Sequence, residues 1–199
     1  KSNIASPTGE ILSPANIGDV IAELLPENAI ISDEGITCGL ELFLRTEGAA
    51  KHDWLSITGG AIGQGLPVSL GASVACPGRK VVAFQGDGSG MYTVQALWSI
   101  ARENADVTVV LLNNDSYAIL NIELARLKVA SSSDKTRSML DLTNPSIDWV
   151  SIAKGMGVQA ARSSTVAEFH SEFERAMKTR GPYLIEAMVS QDINATLKR

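Results

Sequence analysis

The chain has 199 residues, 45% of them hydrophobic and 20% charged, which is long enough to bury a core without staples and too apolar for a disordered tail. Seventeen Lys and Arg against 22 Asp and Glu leave a net charge of −5, which argues against nucleic acid or an anionic membrane as the main partner. No apolar run reaches the roughly 18 residues of a membrane span. Residues 1–13 are polar or contain Gly and Pro without a period, and read as a linker or frayed start. They hold no basic-then-apolar leader, and Cys38 and Cys76 sit outside any metal or redox motif. A reducing, cytoplasmic setting is expected, with both thiols acting as small buried residues.

Ser13 is placed to cap a helix that Pro14 opens. Ile17, Val20, Ile21, Leu24 and Leu25 recur at helical spacing until Pro26 closes the element. Residues 29–32 predict a short apolar strand, 33–35 a turn, and Thr37 the start of a helix carrying Leu40, Leu42, Phe43 and Leu44. Residues 51–56 read as polar and irregular. Glycines 59, 60, 63, 65 and 71 then crowd one segment, read as a turn at Gly59-Gly60 feeding a helix over 61–75 that Pro77-Gly78 ends. Glycine costs a helix about 1 kcal/mol against alanine, so several together signal the close approach of another backbone or a ligand.

Residues 81–84 form an apolar strand followed at once by Gly86-Asp87-Gly88-Ser89. A helix over 93–102 and a strand over 107–112 lead to Asn113-Asn114. This is a βαβ unit, and its unbroken apolar strands are those of a parallel sheet covered on both faces. Residues 117–127 predict a helix, 128–145 an exposed polar loop, 148–154 a helix with Trp149, Val150 and Ile152, and 158–161 a short strand. Ser164 or Thr165 caps a helix through Phe169, Phe173, Ala176 and Met177. With Thr165 as the cap, Glu168 completes a capping box. Gly181-Pro182 leads into a strand over 183–189, and 191–199 is a tail without signal. The expected fold is α/β, three layers (α/β/α) about a mostly parallel sheet, in one domain over 14–190.

Ligands of an open parallel sheet sit beyond the carboxyl ends of its strands, where two polar clusters fall. Asp87 follows one strand and Asn114 the next. A carboxylate and an amide oxygen are hard ligands that suit Mg²⁺ or Ca²⁺. The glycines at 86 and 88 let backbone N–H groups turn to an anion, and the helix that follows adds its positive end. The implied ligand is a diphosphate held through a divalent cation. Either cluster alone is ordinary turn chemistry; their pairing at neighbouring strand ends carries the reading. No Gly-x-x-x-x-Gly-Lys-Ser/Thr loop occurs, and Gly63-Gln64-Gly65 lacks both the preceding strand and the third glycine of a dinucleotide fingerprint.

Gly86-Asp87-Gly88-Ser89, then a helix, a strand and Asn113-Asn114, resembles the signature of thiamine diphosphate-dependent enzymes. The run Gly60-Ala61-Ile62-Gly63-Gln64-Gly65-Leu66-Pro67 resembles the glycine-rich segment that precedes it in the acetolactate synthase, benzoylformate decarboxylase and pyruvate decarboxylase group. The resemblance spans about residues 14–189. It implies the thiamine diphosphate-binding fold and the C-terminal, diphosphate-binding domain of a longer subunit. It further implies that Asp87, the Asn114 side chain and the Ser116 carbonyl hold Mg²⁺. Gly86, Gly88 and Ser89, and the loop Glu34-Gly35-Ile36-Thr37, would contact diphosphate. Ile62 would be the bulky residue that forces the cofactor's bent form, and the Gly60 carbonyl, beside Ala61, would meet the aminopyrimidine. Met91 and Tyr92, with Tyr117, Ala118 and Ile119, would lie near the cofactor.

No residue here matches the glutamate that activates the aminopyrimidine in that family; it comes from a pyrimidine-binding domain, usually on a neighbouring subunit. The expected partners are that domain, a second or further copies in a homodimer or homotetramer, and a 2-oxo acid substrate. The chain alone is expected to bind cofactor weakly and to turn over nothing. Acetolactate synthases usually follow the Asn-Asn stretch with Gly-Met and Gln-Trp-Gln. Residues 117–124 depart from that, which favours benzoylformate decarboxylase-like chemistry with Leu120 and Leu124 in an apolar pocket. Acetolactate synthesis and a catalytically silent assembly or regulatory module are the alternatives. His52 is a candidate proton shuttle only by its loop position, His170 is read as structural or surface, and Trp98 and Trp149 are read as core.

Overall fold

The computed structural model describes residues 9–128 and 133–190. Among the described residues six strands form one sheet: β1 (Ala29–Glu34), β2 (His52–Ser56), β3 (Val81–Gly86), β4 (Val107–Asn113), β5 (Gln159–Ser163) and β6 (Tyr183–Met188). Their order is β2-β1-β3-β4-β6-β5, and every neighbouring pair is parallel. The expected mostly parallel sheet is thus wholly parallel. β4 is buried along its whole length, as the apolar run 107–112, interrupted only by Thr108, requires of a strand covered on both faces.

Helices supply the two covers. On one face α1 (Pro14–Leu24), α2 (Gly39–Thr46) and α9 (Val166–Lys178) place Ile17, Ile21, Leu42, Phe169 and Phe173 against Ile31, Phe84 and Val110. On the other, α3 (Gly65–Ala75), α5 (Ala96–Arg102) and α8 (Trp149–Gly155) place Leu66, Leu97, Ile100 and Trp149 against Val81, Ala83 and Val109. The caps follow the sequence. Ser13 Oγ accepts from Asn16 N while Asn16 Oδ1 accepts from Ser13 N, and Thr165 with Glu168 forms the expected box on α9.

The chain steps outward from β1 to β2, then returns to lay β3 on the other side of β1. The strand order therefore reverses between β1 and β3, and the crevice at their carboxyl ends is where an open α/β sheet binds ligands.

Several expectations are corrected. The polar segment 51–56 holds the edge strand β2, whose residues are half-buried or exposed; its one strand partner is β1, and Trp54 packs edge-on to Phe43 and tilted on Phe84. The strand at 29–32 runs on through Asp33 and Glu34, which pair with Phe84 and Gln85. The glycine-rich helix starts at Gly65 rather than 61, because Gly63 has a φ of +101°, outside helical space. The polar stretch 128–145 contains α7 (Asp134–Leu140), capped by Ser133; residues 129–132 of it lie outside the described residues. Leu12 is fully buried and Ile11 bridges to Thr165, so the chain is tied down before α1. The segments 1–8 and 191–199 lie outside the described residues. Trp149 is core, but Trp98 is 52% exposed with the Arg102 guanidinium over its ring. Cys38 is buried and Cys76 half-buried, both as free thiols. Among the described residues no helix is long and apolar enough to cross a membrane.

Candidate functional site

One cavity opens at the carboxyl ends of β1, β3 and β4. Gly35, Ile36, Thr37 and Cys38 line it from the end of β1. Gly86, Asp87, Gly88 and Ser89 line it from the end of β3 and the short helix α4 (Asp87–Gly90). Leu112, Asn114, Ser116 and Tyr117 line it from the end of β4, and Ala118, Ile119 and Leu120 from the start of α6 (Ala118–Arg126). Ile62 reaches in from the glycine-rich loop, and Tyr92 from the turn after α4. Asp87 and Asn114, 27 residues apart in the chain, thus face one space because β3 and β4 are parallel neighbours.

Asp87 is 4% exposed. Its Oδ1 accepts the Gly88 N–H at 2.8 Å, and its Oδ2 is buried without a hydrogen-bond partner. Burial pushes the carboxyl from 3.8 up to about 6, and the amides of Gly88, Asp115, Asn114 and Ser116 pull the other way. The last three lie near enough to favour charge, yet none makes a hydrogen bond to Oδ2. A buried carboxylate oxygen without a partner is a costly group to leave so, and a cation is the ligand that would offset it. Asn114 Oδ1 accepts from Ser116 N at 3.1 Å, folding the loop so that both residues stay on the cavity. Among the described residues no three His, Cys, Asp or Glu side chains gather as a metal group. A cation here would therefore rest on one carboxylate and neutral oxygens, a donor set suited to Mg²⁺ that keeps phosphate and water ligands.

Two backbone features at the cavity were not legible in the sequence. Ile36 has a φ of +49° and Asp115 a φ of +54°. Such a conformation in a β-branched residue is strained and is found where the surroundings over-determine it, commonly at ligand sites. Asp33 helps hold the first of these loops. Its Oδ1 accepts from Gly35 N at 2.9 Å, and burial raises its pKa, opposed by that amide and by Trp54. Asn113 holds the second: its Oδ1 accepts from Asp115 N at 2.9 Å, and its Nδ2 donates to the fully buried Glu186 at 2.8 Å. Arg162 Nε donates to the other Glu186 oxygen at 2.8 Å.

Several residues expected at the site lie off the cavity. Glu34 is 1% exposed and its carboxylate turns inward, where it accepts from backbone amides; it is not a loop carboxylate facing an anion. Gly60 and Ala61 sit on the exposed turn beside the cavity, and Met91 is 44% exposed outside it. Leu124 is half-buried away from the lining. Ser89 is in place, but its Oγ accepts from Gln85 Nε2 at 2.7 Å and points back to Gly86 O at 3.1 Å, which leaves its backbone amide as the group available to an anion. His52 bonds to the Ala50 carbonyl and is not in the lining, and His170 lies 3.8 Å from Glu23. Cys38 and Leu112 line the cavity without a signal in the sequence beyond their apolar type.

A family model described as thiamine pyrophosphate enzyme, C-terminal TPP binding domain, matches residues 41–187. The chain is 49% identical over 184 residues to the Mycobacterium tuberculosis protein named "Putative acetolactate synthase large subunit IlvX", covering 92% of this chain and 36% of that one. It is 32% identical over 178 residues to a benzoylformate decarboxylase of Pseudomonas aeruginosa, covering 89% and 32%. A solved thiamine diphosphate-dependent 4-hydroxybenzoylformate decarboxylase of Rhodococcus jostii RHA1 superposes with a TM-score of 0.83 and 30% identity, over 94% of this chain and 34% of that chain. The chain spans about a third of the length of these relatives.

Proposed function

This chain belongs to the family of C-terminal TPP-binding domains of thiamine pyrophosphate enzymes, and from that premise we propose that its cavity holds the diphosphate end of the cofactor through Mg²⁺. The observation that carries the reading is the partnerless Asp87 Oδ2, buried in the cavity that Asn114 and Ser116 also line. Asp87 and Asn114 would bind the cation by their side-chain oxygens and Ser116 by its carbonyl. The amides of Gly88 and Ser89 and the loop at 35–37 would hold the diphosphate oxygens. Ile62, apolar and 38% exposed at the cavity, would press on the cofactor from below. When bound, the cofactor supplies the electron sink for breaking or making a bond next to the carbonyl of a 2-oxo acid.

The other groups of the active site, including the activating glutamate, would come from a pyrimidine-binding domain of the same protein or a neighbouring subunit in a homodimer or homotetramer. For the reaction, the reading is decarboxylation of an apolar 2-oxo acid. It is supported by Ile119, Leu120, Tyr92 and Tyr117 at the cavity and by the likeness to two decarboxylases. The relative at 49% identity, named as an acetolactate synthase subunit, supports carboligation of pyruvate as the second reading. Assay of the intact protein on benzoylformate and pyruvate decides between them. Aldehyde from benzoylformate is the expected product; acetolactate from pyruvate, with no aldehyde, would reverse the choice.

A further inference from the structure

Glu34, the last residue of β1, does no work in the site as described, yet it is among the most buried charged groups of the chain at 1% exposure. Three N–H donors converge on its carboxylate. Gly63 N reaches Oε1 at 2.9 Å, Gln85 Nε2 reaches Oε1 at 3.0 Å, and Gly65 N reaches Oε2 at 2.5 Å. An ionised carboxylate accepts on both oxygens and donates on neither, so it matches this set, and charge-assisted bonds of this kind are the strong ones. The packing is as close as the bonding: a Cβ on Gly65 would stand 2.7 Å from Glu34 Cβ and 2.8 Å from Gln85 Oε1. Ser32 Oγ also donates to the Gly65 carbonyl at 3.0 Å. The Gly63–Gly65 backbone is held at both amides and at a carbonyl.

Gln85 extends the line. It is 1% exposed on β3, and the nitrogen that reaches Glu34 also donates to Ser89 Oγ at 2.7 Å. Hydrogen bonds therefore run without a break from the glycine-rich loop, where Ile62 directly precedes Gly63, to the turn that carries Asp87 and Ser89. Neither Glu34 nor Gln85 lines the cavity; both act from behind its wall.

We propose that Glu34 is a positioning residue whose carboxylate, relayed through Gln85, ties the loop bearing Ile62 to the turn bearing Asp87 and Ser89, so that the two ends of the cavity keep one spacing. The proposal rests on the reading of the cavity as a site for thiamine diphosphate with Mg²⁺. In Glu34→Gln the side-chain amide must set its own nitrogen against at least one of the three donors, freeing the loop while leaving every cavity-lining residue chemically unchanged.

The test combines amide hydrogen exchange at Gly63 and Gly65 with titration of the protein by thiamine diphosphate plus Mg²⁺. Glu34→Gln is expected to speed exchange at both glycines and to weaken cofactor binding about ten- to hundredfold. It is also expected to erase the further loss that Ile62→Ala causes in the otherwise wild-type protein, because a loop already loose gains nothing from its wedge. That non-additivity is absent if Glu34 only supports the fold. Gln85→Met keeps both glycine amides on Glu34 and cuts the relay, removing the Gln85 bonds to Glu34 and to Ser89; slow exchange with binding weakened about two- to tenfold is expected. Unchanged affinity in a folded Glu34→Gln protein, or in Gln85→Met should the former not fold, overturns the proposal. Failure of the intact wild-type protein, with its pyrimidine-binding domain, to bind cofactor overturns the reading of the cavity itself and the proposal with it.

Discussion

Gly88 and Tyr117 offer a direct probe of how the two strand-end clusters meet. Gly88 is buried in the turn after β3, and Tyr117 stands at the start of α6, after β4. A Cβ at position 88 would lie 2.7 Å from Tyr117 Cδ1 and 3.3 Å from Cζ, with Cε1 nearer still. Overpacking of this kind costs about 1–3 kcal/mol, so Gly88→Ala is expected to lower stability by about that much. Gly88 lies in a helical turn, where alanine is otherwise preferred over glycine by about 0.5–1 kcal/mol. Once Tyr117→Ala removes the ring, Gly88→Ala should become neutral or mildly stabilising. Urea unfolding of the wild-type protein, both single variants and the double variant gives the coupling, expected at about 1.5 kcal/mol or more in magnitude. Equal costs of Gly88→Ala in both backgrounds would mean that the ring does not rest on the turn, and would refute the juxtaposition from which the cation site is built.

Further outcomes follow from other parts of the molecule. Glu186→Ala strands the buried Asn113 amide and releases the Asp115 loop; a loss of about 2–3 kcal/mol in urea unfolding is expected, and Arg162→Ala, which leaves a fully buried Glu186 oxygen without its cation, should cost at least as much. The carboxylates of Asp148 and Glu168 are held below their ordinary range, the first by the Ser151 hydroxyl and amide, the second by the amides of Ser164 and Thr165. Their folded values lie below their unfolded ones, so this stabilisation is complete above the unfolded values of 3.8 and 4.5 and is lost as pH falls through the folded ones. Thermal midpoints of the Asp148→Asn, Glu168→Gln double variant should therefore fall less steeply below about pH 4 than those of the wild-type protein. Burial pushes the Cys38 thiol up to about 12, so at pH 8 iodoacetamide should label the half-buried Cys76 and leave Cys38 intact until the chain unfolds; mass spectrometry of the labelled peptides reads this.

The parts of the fold legible in the sequence are those whose signal is local. β3 and β4 announce themselves by unbroken apolar runs, and α1 and α9 by a capping residue followed by an apolar stripe. β2 hides because His52, Asp53 and Ser56 break any apolar pattern; only its pairing to β1 and the seat of Trp54 against Phe84 make it a strand. α7 hides in a polar run because Leu140 is its one buried residue. At the site, Asp87 and Asn114 were legible by residue type at the ends of neighbouring strands, whereas Ser116 came from the family resemblance alone; all three line the cavity. Glu34 was not: a carboxylate followed by glycine reads as a turn, and what turns it inward is a pair of amides 29 and 31 residues further on. The left-handed backbone at Ile36 was beyond reach for the same reason, since no local propensity favours it at an isoleucine.

Calorimetric titration with thiamine diphosphate, with and without Mg²⁺, on the wild-type protein and on Asp87→Ala, bears on the cation site more directly than any other measurement. The wild-type protein should bind only when Mg²⁺ is present, ATP and NAD should not replace the cofactor, and Asp87→Ala should show no metal-dependent binding. An Asp87→Ala protein that binds with undiminished affinity would contradict the site.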